Sequence, residues 1–374
     1  MILKIKDNIE IRQDNDDLHF IDTTTGVRKI FTTDENFRKM IDLLDEEIEM
    51  AKLFESLKEG VNQNLDSEEF KNTIQSMIEH GILDKNNDSD YSLSKNDIER
   101  MSRQILFMDS FSKDELDGKY YQHKLKNSTV AIFGLGGTGS WIATFLAQSG
   151  VGKLILIDYD VVEKNNLSRQ ISYNYNDIGK NKTEALKNNL LENFDISIEI
   201  FNLNIDENTN LIPLINGVDC VVNCTDQPNV FTTGMWIAKA CMPLKIPHII
   251  GGGYSTHLGM IGPTIIPFKS PCWGCYEVQT SEPLYKDYTI IRKRKTSYSG
   301  SINVIASQVA SLQAFEVIKV LTNISSPSML GRKGEYDPFK LNFNFEFFRR
   351  HPLCPLCGEE KIRENKEKLT GVAK

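Results

Sequence analysis

Short apolar runs separated by polar and glycine-rich stretches dominate the middle of this chain. Residues 128–133, 153–157, 218–222 and 248–251 read as strands, and residues 139–148 read as a helix opening directly from a glycine turn. The N-terminal part has a different rhythm. Residues 9–13, 18–22 and 28–31 alternate like hairpin strands, with Thr23, Thr24, Thr25 and Gly26 as a turn. Helices follow. One over residues 35–44 puts Phe37, Met40, Ile41 and Leu44 on one face. Another enters through Asp66, Ser67, Glu68 and Glu69, a capping-box-like start, and aligns Phe70, Ile74, Met77 and Ile78 before Gly81 stops it. Further on come an apolar stretch at 260–267, a polar segment at 276–301, and a helix spaced through Val304, Ile305, Val309, Leu312 and Phe315.

This pattern predicts two units: residues 1–90, and residues 96–360 with a charged tail at 361–374. The segment 86–90, rich in Asn and Asp, reads as the linker. A length of 374 residues suits two domains, and 40% hydrophobic with 25% charged residues is ordinary for a globular chain. The net charge of -8 argues against nucleic acid as a partner. No apolar run approaches the roughly 20 residues that span a bilayer, so no membrane partner is expected. The opening residues Met1, Ile2, Leu3, Lys4, Ile5 and Lys6 are not signal-like, and seven cysteines is an odd number, so a cytoplasmic setting is expected.

The chemistry gathers between residues 128 and 182. Gly134, Gly136, Gly137 and Gly139 stand between a strand and a helix, where bare backbone and a helix N-terminus can approach phosphates. Asp158, about twenty residues on, can accept hydrogen bonds from ribose hydroxyls. A dinucleotide dehydrogenase, or a turn required only for helix and strand packing, fits this much equally. The residues beyond the second strand favour a triphosphate: Arg169 can fork across phosphate oxygens, Lys182 supplies a compact charge, and Asn166 and Gln170 add neutral hydrogen bonds. Asp226 comes shortly after the strand at 218–222. It is placed either to hold a magnesium ion against a triphosphate or to cap the helix beginning near Pro228. Independently, Cys272, Cys275, Cys354 and Cys357 form two closely spaced pairs, as a tetrahedral structural zinc requires, with disulfides as the competing reading. Cys220, Cys224 and Cys241 read as small buried hydrophobes.

The ordered motifs Gly134-x-Gly136-Gly137-x-Gly139, Asp158-x-Asp160, Asn166-x-x-Arg169-Gln170, Gly179-x-x-Lys182 and Cys224-Thr225-Asp226, with the two cysteine pairs, resemble the ThiF/MoeB/HesA-type adenylyltransferases, relatives of the ubiquitin-activating enzymes. The resemblance implies an α/β fold: a Rossmann-like, doubly wound, mostly parallel sheet. It also implies ATP bound at Asp160, Asn166, Arg169 and Lys182, and Mg2+ at Asp226. A homodimer is implied as well, in which Arg103, on a helix around residues 99–104, reaches the partner's nucleotide. In this family the segment 276–301 is a crossover loop, which offers Arg292 to Lys295 a task with a peptide carboxylate or phosphates; a merely solvated charged loop is the favoured reading of them.

Two features narrow the resemblance. Members that pass the activated carboxylate to sulfur use a cysteine in or just after the crossover loop, and none occurs between Cys275 and Cys354. The N-terminal unit resembles the small α+β, winged-helix-like domains that hold a precursor peptide against a strand edge and a helix, although an N-terminal cap or dimerisation element fits it too. Together these point to the group that activates the C-terminus of a short precursor peptide in microcin C-type antibiotic biosynthesis. ATP and CTP both fit, because the phosphate motifs do not read the base. An activator of a ubiquitin-like sulfur carrier, or a peptide-binding partner without catalysis, are the alternatives.

Overall fold

The computed structural model describes residues 1–60, 65–86, 91–111, 117–255, 257–280 and 300–358. The linker expected at 86–90 lies almost wholly outside them and the tail at 361–374 wholly; of the crossover loop expected at 276–301, residues 276–280 instead end a helix and 281–299, with Arg292 to Lys295, lie outside. The chain divides into two compact units, Met1–His123 and Lys124–Lys374.

The first unit runs β1 (Ile2–Ile5), β2 (Ile9–Asp14), β3 (Asp17–Asp22), β4 (Arg28–Thr32), α1 (Glu35–Leu43), β5 (Ile48–Glu49), α2 (Met50–Gly60), α3 (Ser67–Glu79), β6 (Leu83–Asn86), α4 (Lys95–Asp109) and α5 (Gly118–Lys126), the last crossing the boundary. The alternating runs form the antiparallel meander β2-β3-β4, with the Thr23–Gly26 turn between β3 and β4. Gly26 has φ +72°, which suits a residue without a Cβ. A second antiparallel sheet, β5-β1-β6, went unread in the sequence. Its central strand is the chain's opening ILKI, in which Leu3 and Ile5 point into the core with Phe20, Leu44, Leu53, Ile74, Met77 and Ile82. Each such side chain, fully buried, contributes about 1.5–3 kcal/mol. Helix starts obey local chemistry: Asp34 caps α1 by accepting from Phe37 N–H, and Asp66 caps α3 by accepting from Glu68 and Glu69 N–H.

The second unit begins β7 (Thr129–Phe133), α6 (Gly139–Gln148), β8 (Lys153–Asp158), α7 (Lys182–Asn193), β9 (Ser197–Asn202), α8 (Ile212–Ile215), β10 (Cys220–Asn223), α9 (Val230–Leu244) and β11 (His248–Ile250). It continues β12 (Gly253–Ser255), β13 (Leu258–Ile261), β14 (Thr264–Ile265), α10 (Trp273–Thr280), α11 (Asn303–Thr322), β15 (Arg332–Asp337) and β16 (Asn342–Phe347). Strands β14-β11-β10-β7-β8-β9 form one sheet, parallel except at β14. Residues 130–133 of β7 and all of β10 are buried, as strands covered on both faces must be. From β7 the order steps one way to β8 and β9 and the other way to β10 and β11. The switch point therefore lies at the C-terminal ends of β7 and β10, the place where such sheets bind ligands. A separate antiparallel sheet, β12-β13-β15-β16, completes the unit.

Among the described residues, helix α11 is the one long and apolar enough to cross a bilayer by length and composition, and 56% of its most apolar window is buried within the protein. Its inward face carries a buried network rather than a purely apolar stripe. Lys319 Nζ lies 2.5 Å from Glu316 Oε1 and 2.8 Å from Ser328 Oγ. Glu316 accepts from Thr264 Oγ1 at 2.8 Å, Ser328 N–H at 2.9 Å and Met329 N–H at 3.0 Å. Burial works to raise the Glu316 carboxyl, but Lys319 and these donors outweigh it and hold the carboxyl below its ordinary value. Removing one partner strands the other charge. Lys319→Ala should therefore lower stability by about 3–5 kcal/mol in urea titration, whereas replacing Glu316 and Lys319 together by Gln and Met should cost far less.

Candidate nucleotide site and cysteine cluster

The turn after β7 is shaped by contacts a side chain would break. Gly134 has φ +83°, and a Cβ there would lie 2.7 Å from the Cys224 carbonyl; a Cβ on Gly139 would lie 1.9 Å from Gly134 O. These two glycines let β7, β10 and α6 converge. Gly136 is different, because a Cβ there would meet nothing within 4 Å. It faces open space at the mouth of the turn, as a backbone that receives a ligand would. Thr138, at the start of α6, makes no side-chain cap, and among the described residues the N–H groups of Gly136, Gly137 and Thr138 make no hydrogen bond. Unpaired N–H groups at a helix N-terminus are matched to an anion.

Asp158 closes β8 and is 8% exposed. One carboxylate oxygen accepts Leu135 N–H at 2.6 Å and the other accepts Asp160 N–H at 2.7 Å. Burial raises its carboxyl above the ordinary value, against the opposing pull of Lys182. Lys182, the first residue of α7, is buried and reaches Asp160 Oδ2 at 2.7 Å. Asn166, also buried, is engaged in its own turn: its Oδ1 accepts Glu163 N–H at 3.0 Å and its amide donates to Asn165 Oδ1 at 2.6 Å. Arg169 donates from Nε to Tyr254 Oη at 3.0 Å and from a terminal nitrogen to Asn165 O at 3.0 Å. Gln170 is 2% exposed, and its Oε1 is a buried acceptor with no donor among the described residues.

Asp226 is exposed, three residues past β10; burial first, then Asp160, Asp158 and Asp226, raises the Tyr159 phenol. The capping alternative falls, because Asn229 caps α9 by accepting Thr232 N–H at 2.8 Å. No hydrogen bond or ion pair of Asp226 occurs among the described residues. Cys224 is half-buried beside the glycine turn rather than deep in the core. Burial first, then Asp226, pushes its thiol up to about 12, so it stays protonated near neutral pH. Cys220 and Cys241 are buried as expected. Arg103 lies exposed on α4, in the first unit.

Sequence reasoning missed the side chains that brace this end of the sheet. Tyr173 donates to Leu135 O at 2.9 Å, and Trp141 Nε1 donates to Arg169 O at 3.0 Å. Neither has a spacing that marks it. Tyr254 had one available signal, its position directly after Gly251, Gly252 and Gly253, a run that implies close backbone approach.

All seven cysteines are free, so the disulfide alternative fails. Cys272, Cys275, Cys354 and Cys357 are buried with their Sγ atoms all within 4.8 Å of one another, and the closest pairs are 3.3–3.8 Å apart. A tetrahedron with Zn–S bonds of about 2.3 Å has edges of about 3.8 Å. Backbone N–H groups of His351 and Leu356 approach Cys275 and Cys354 sulfurs at 3.4 Å, as thiolates favour. Arg350 ties the two pairs together by donating to Phe268 O at 2.8 Å and Cys357 O at 3.2 Å. The donor set fits zinc with every position filled by sulfur.

Residues 101–356 match the ThiF family. The chain belongs to that family. It is 32% identical over 269 residues to the sulfur carrier protein ThiS adenylyltransferase of Escherichia coli (strain K12), covering 71% of this chain and 97% of that protein. It is 31% identical over 271 residues to the SAMP-activating enzyme E1 of Haloferax volcanii, covering 72% and 92%. Against the adenylyltransferase and sulfurtransferase MOCS3 of Caenorhabditis briggsae the figures are 30% over 275 residues, 72% and 62%, so this chain spans less than two thirds of that relative. Among solved structures, E. coli MccB superposes with TM-score 0.73 at 26% identity, covering 96% of this chain and 97% of that one. MccB with ATP gives 0.71 at 26%, covering 96% and 100%, and PaaA gives 0.71 at 25%, covering 92% and 100%.

The ThiF-family protein is therefore an adenylyltransferase-type enzyme with a doubly wound sheet, and the family's chemistry implies ATP. The dehydrogenase and non-catalytic alternatives are set aside. Replacing Cys354 by Ser should release zinc and lower the melting temperature, both measurable on one sample by atomic absorption and calorimetry; unchanged zinc content would show that the four sulfurs hold none.

Proposed function

We propose that this enzyme uses ATP to activate the C-terminus of a short, ribosomally made precursor peptide, as in microcin C-type biosynthesis. The carboxylate or amide of the peptide attacks the α-phosphate and pyrophosphate leaves. One observation carries the reading: MccB, solved with the peptide MccA and with ATP, matches 96% of this chain, so the match must include most of the first unit. The ThiS adenylyltransferase accounts for 97% of its own length with 71% of this chain. The additional unit has the features of a peptide holder. In the sheet β2-β3-β4, strand β4 pairs with β3 alone among the described strands, and a cleft of about 600 Å³ lies between Phe31 and Thr32 of β4, Phe37 of α1, and Asn72, Thr73 and Ser76 of α3. An extended peptide can add to such an edge through its backbone.

In the second unit, Gly136 and the α6 N-terminus receive the phosphates, Lys182 and Arg169 neutralise them, and a ribose or base group donates to Gln170 Oε1. Asp158, Asp160 and Asp226 set three carboxylates against the two cations Lys182 and Arg169. An incoming triphosphate therefore requires further positive charge, and Asp226 is the residue that would hold a magnesium ion to supply it. Positioning and charge neutralisation carry the rate; an attacking carboxylate, already ionised near pH 7, needs no general base, whereas an attacking amide must pass its N–H proton to a base or to water.

A homodimer, with Arg103 of one subunit at the nucleotide of the other, is supported by apolar side chains that β16 leaves exposed, Phe343, Phe345 and Phe347. The free cysteines suit a reducing cytoplasm. The sulfur-carrier reading is favoured by the names of the sequence relatives and opposed by the missing cysteine between Cys275 and Cys354.

Pyrophosphate release separates the two. A synthetic peptide ending in asparagine should support it, and a ubiquitin-like protein ending in Gly-Gly should not; the reverse outcome would overturn the peptide reading. Asp226→Ala should reduce turnover by at least about 100-fold, since exposed sites contribute little to folding, and leave melting unchanged. Retained turnover would remove Asp226 from the reaction.

A further inference from the structure

Tyr254 comes from β12, in the antiparallel sheet, yet its hydroxyl lies over the glycine turn of the parallel one. A Cβ on Gly137 would sit 2.1 Å from that hydroxyl and 2.9–3.0 Å from the ring carbons Cζ and Cε1. Gly137 is thus the residue that admits the phenol. The same oxygen accepts Arg169 Nε–H at 3.0 Å. Asn165 O takes one proton from a terminal guanidinium nitrogen at 3.0 Å, and Trp141 Nε1 pins the Arg169 carbonyl at 3.0 Å. Of five guanidinium protons, two are held by protein oxygens, which leaves both terminal nitrogens able to donate.

The two cations of the site are therefore held by different means. Lys182 is paired with a carboxylate, which offsets part of its charge. Arg169 is held by neutral oxygens, which fix its orientation and leave its charge intact for an anion. Orientation matters more for Arg169, since a planar fork binds phosphate oxygens only when aimed.

We propose that Tyr254 is a positioning residue of adenylation: its hydroxyl aims the Arg169 guanidinium at the nucleotide, and Gly137 lacks a side chain so that it can. The proposal rests on Arg169 contacting the phosphates. Losing one orienting hydrogen bond is worth about 0.5–1.5 kcal/mol, or roughly 2–10-fold in affinity.

The test is a double-mutant cycle on MgATP binding to the full-length protein by calorimetry. Tyr254→Phe should weaken MgATP about 3–10-fold in the native background, with melting preserved, and less than about 1.5-fold in the Arg169→Ala background, because the phenol acts through the guanidinium. Equal losses in both backgrounds, or no loss in the native one, would overturn the proposal while Arg169 kept its role. Undiminished binding by Arg169→Ala alone would remove Arg169 from the phosphates, and the proposal with it.

Discussion

A carboxylate almost closed off from water holds the nucleotide end of this sheet together. Asp158 accepts the N–H of Leu135 after β7 and the N–H of Asp160 after β8, so one side chain sets the separation of two chain segments that must both face a ligand. Burying a carboxylate is costly, and its raised pKa reflects that cost. Two backbone donors and the nearby Lys182 offset it. The rest of the cleft inherits its position from this brace: the open mouth at Gly136, the free start of α6, and Asp160, which in turn fixes Lys182.

Electrostatics then sets what the cleft can take. With three carboxylates around two cations, the site is not a basic patch that would collect any polyanion. On the proposed reading, such a site takes an anion that brings a metal ion with it and aligns with a fixed guanidinium. Asp226 and the buried acceptor of Gln170 are polar groups without a partner among the described residues, and on the proposed reading the nucleotide and its metal supply those partners.

Much of this was legible in the sequence, for identifiable reasons. Strands β7, β8, β10 and β11 are short apolar runs bounded by polar or glycine positions, and the cysteine pairs carry a spacing that only their chemistry explains. Other features gave no local signal. The opening strand ILKI is four residues long, and its role depends on partners that arrive more than forty residues later. Helix α11 mixes a buried Lys–Glu pair into its apolar face, a network that the apolar spacing alone does not announce. Tyr254 and Tyr173 act across the fold, and tertiary proximity of that kind leaves no periodicity. The sequence also did not show that Asp158 and Asn166, read as nucleotide ligands, accept hydrogen bonds from backbone N–H groups nearby.

If the glycine turn, Lys182 and Arg169 form the seat of a whole triphosphate, competitive calorimetry with MgATP and NAD on the native protein and on Lys182→Ala will register it. MgATP should bind, NAD should not displace it, and Lys182→Ala should weaken MgATP at least about tenfold, the loss of one buried charge contact. Binding of NAD in place of MgATP, or MgATP affinity unchanged by Lys182→Ala, would show that the cleft is built for something else.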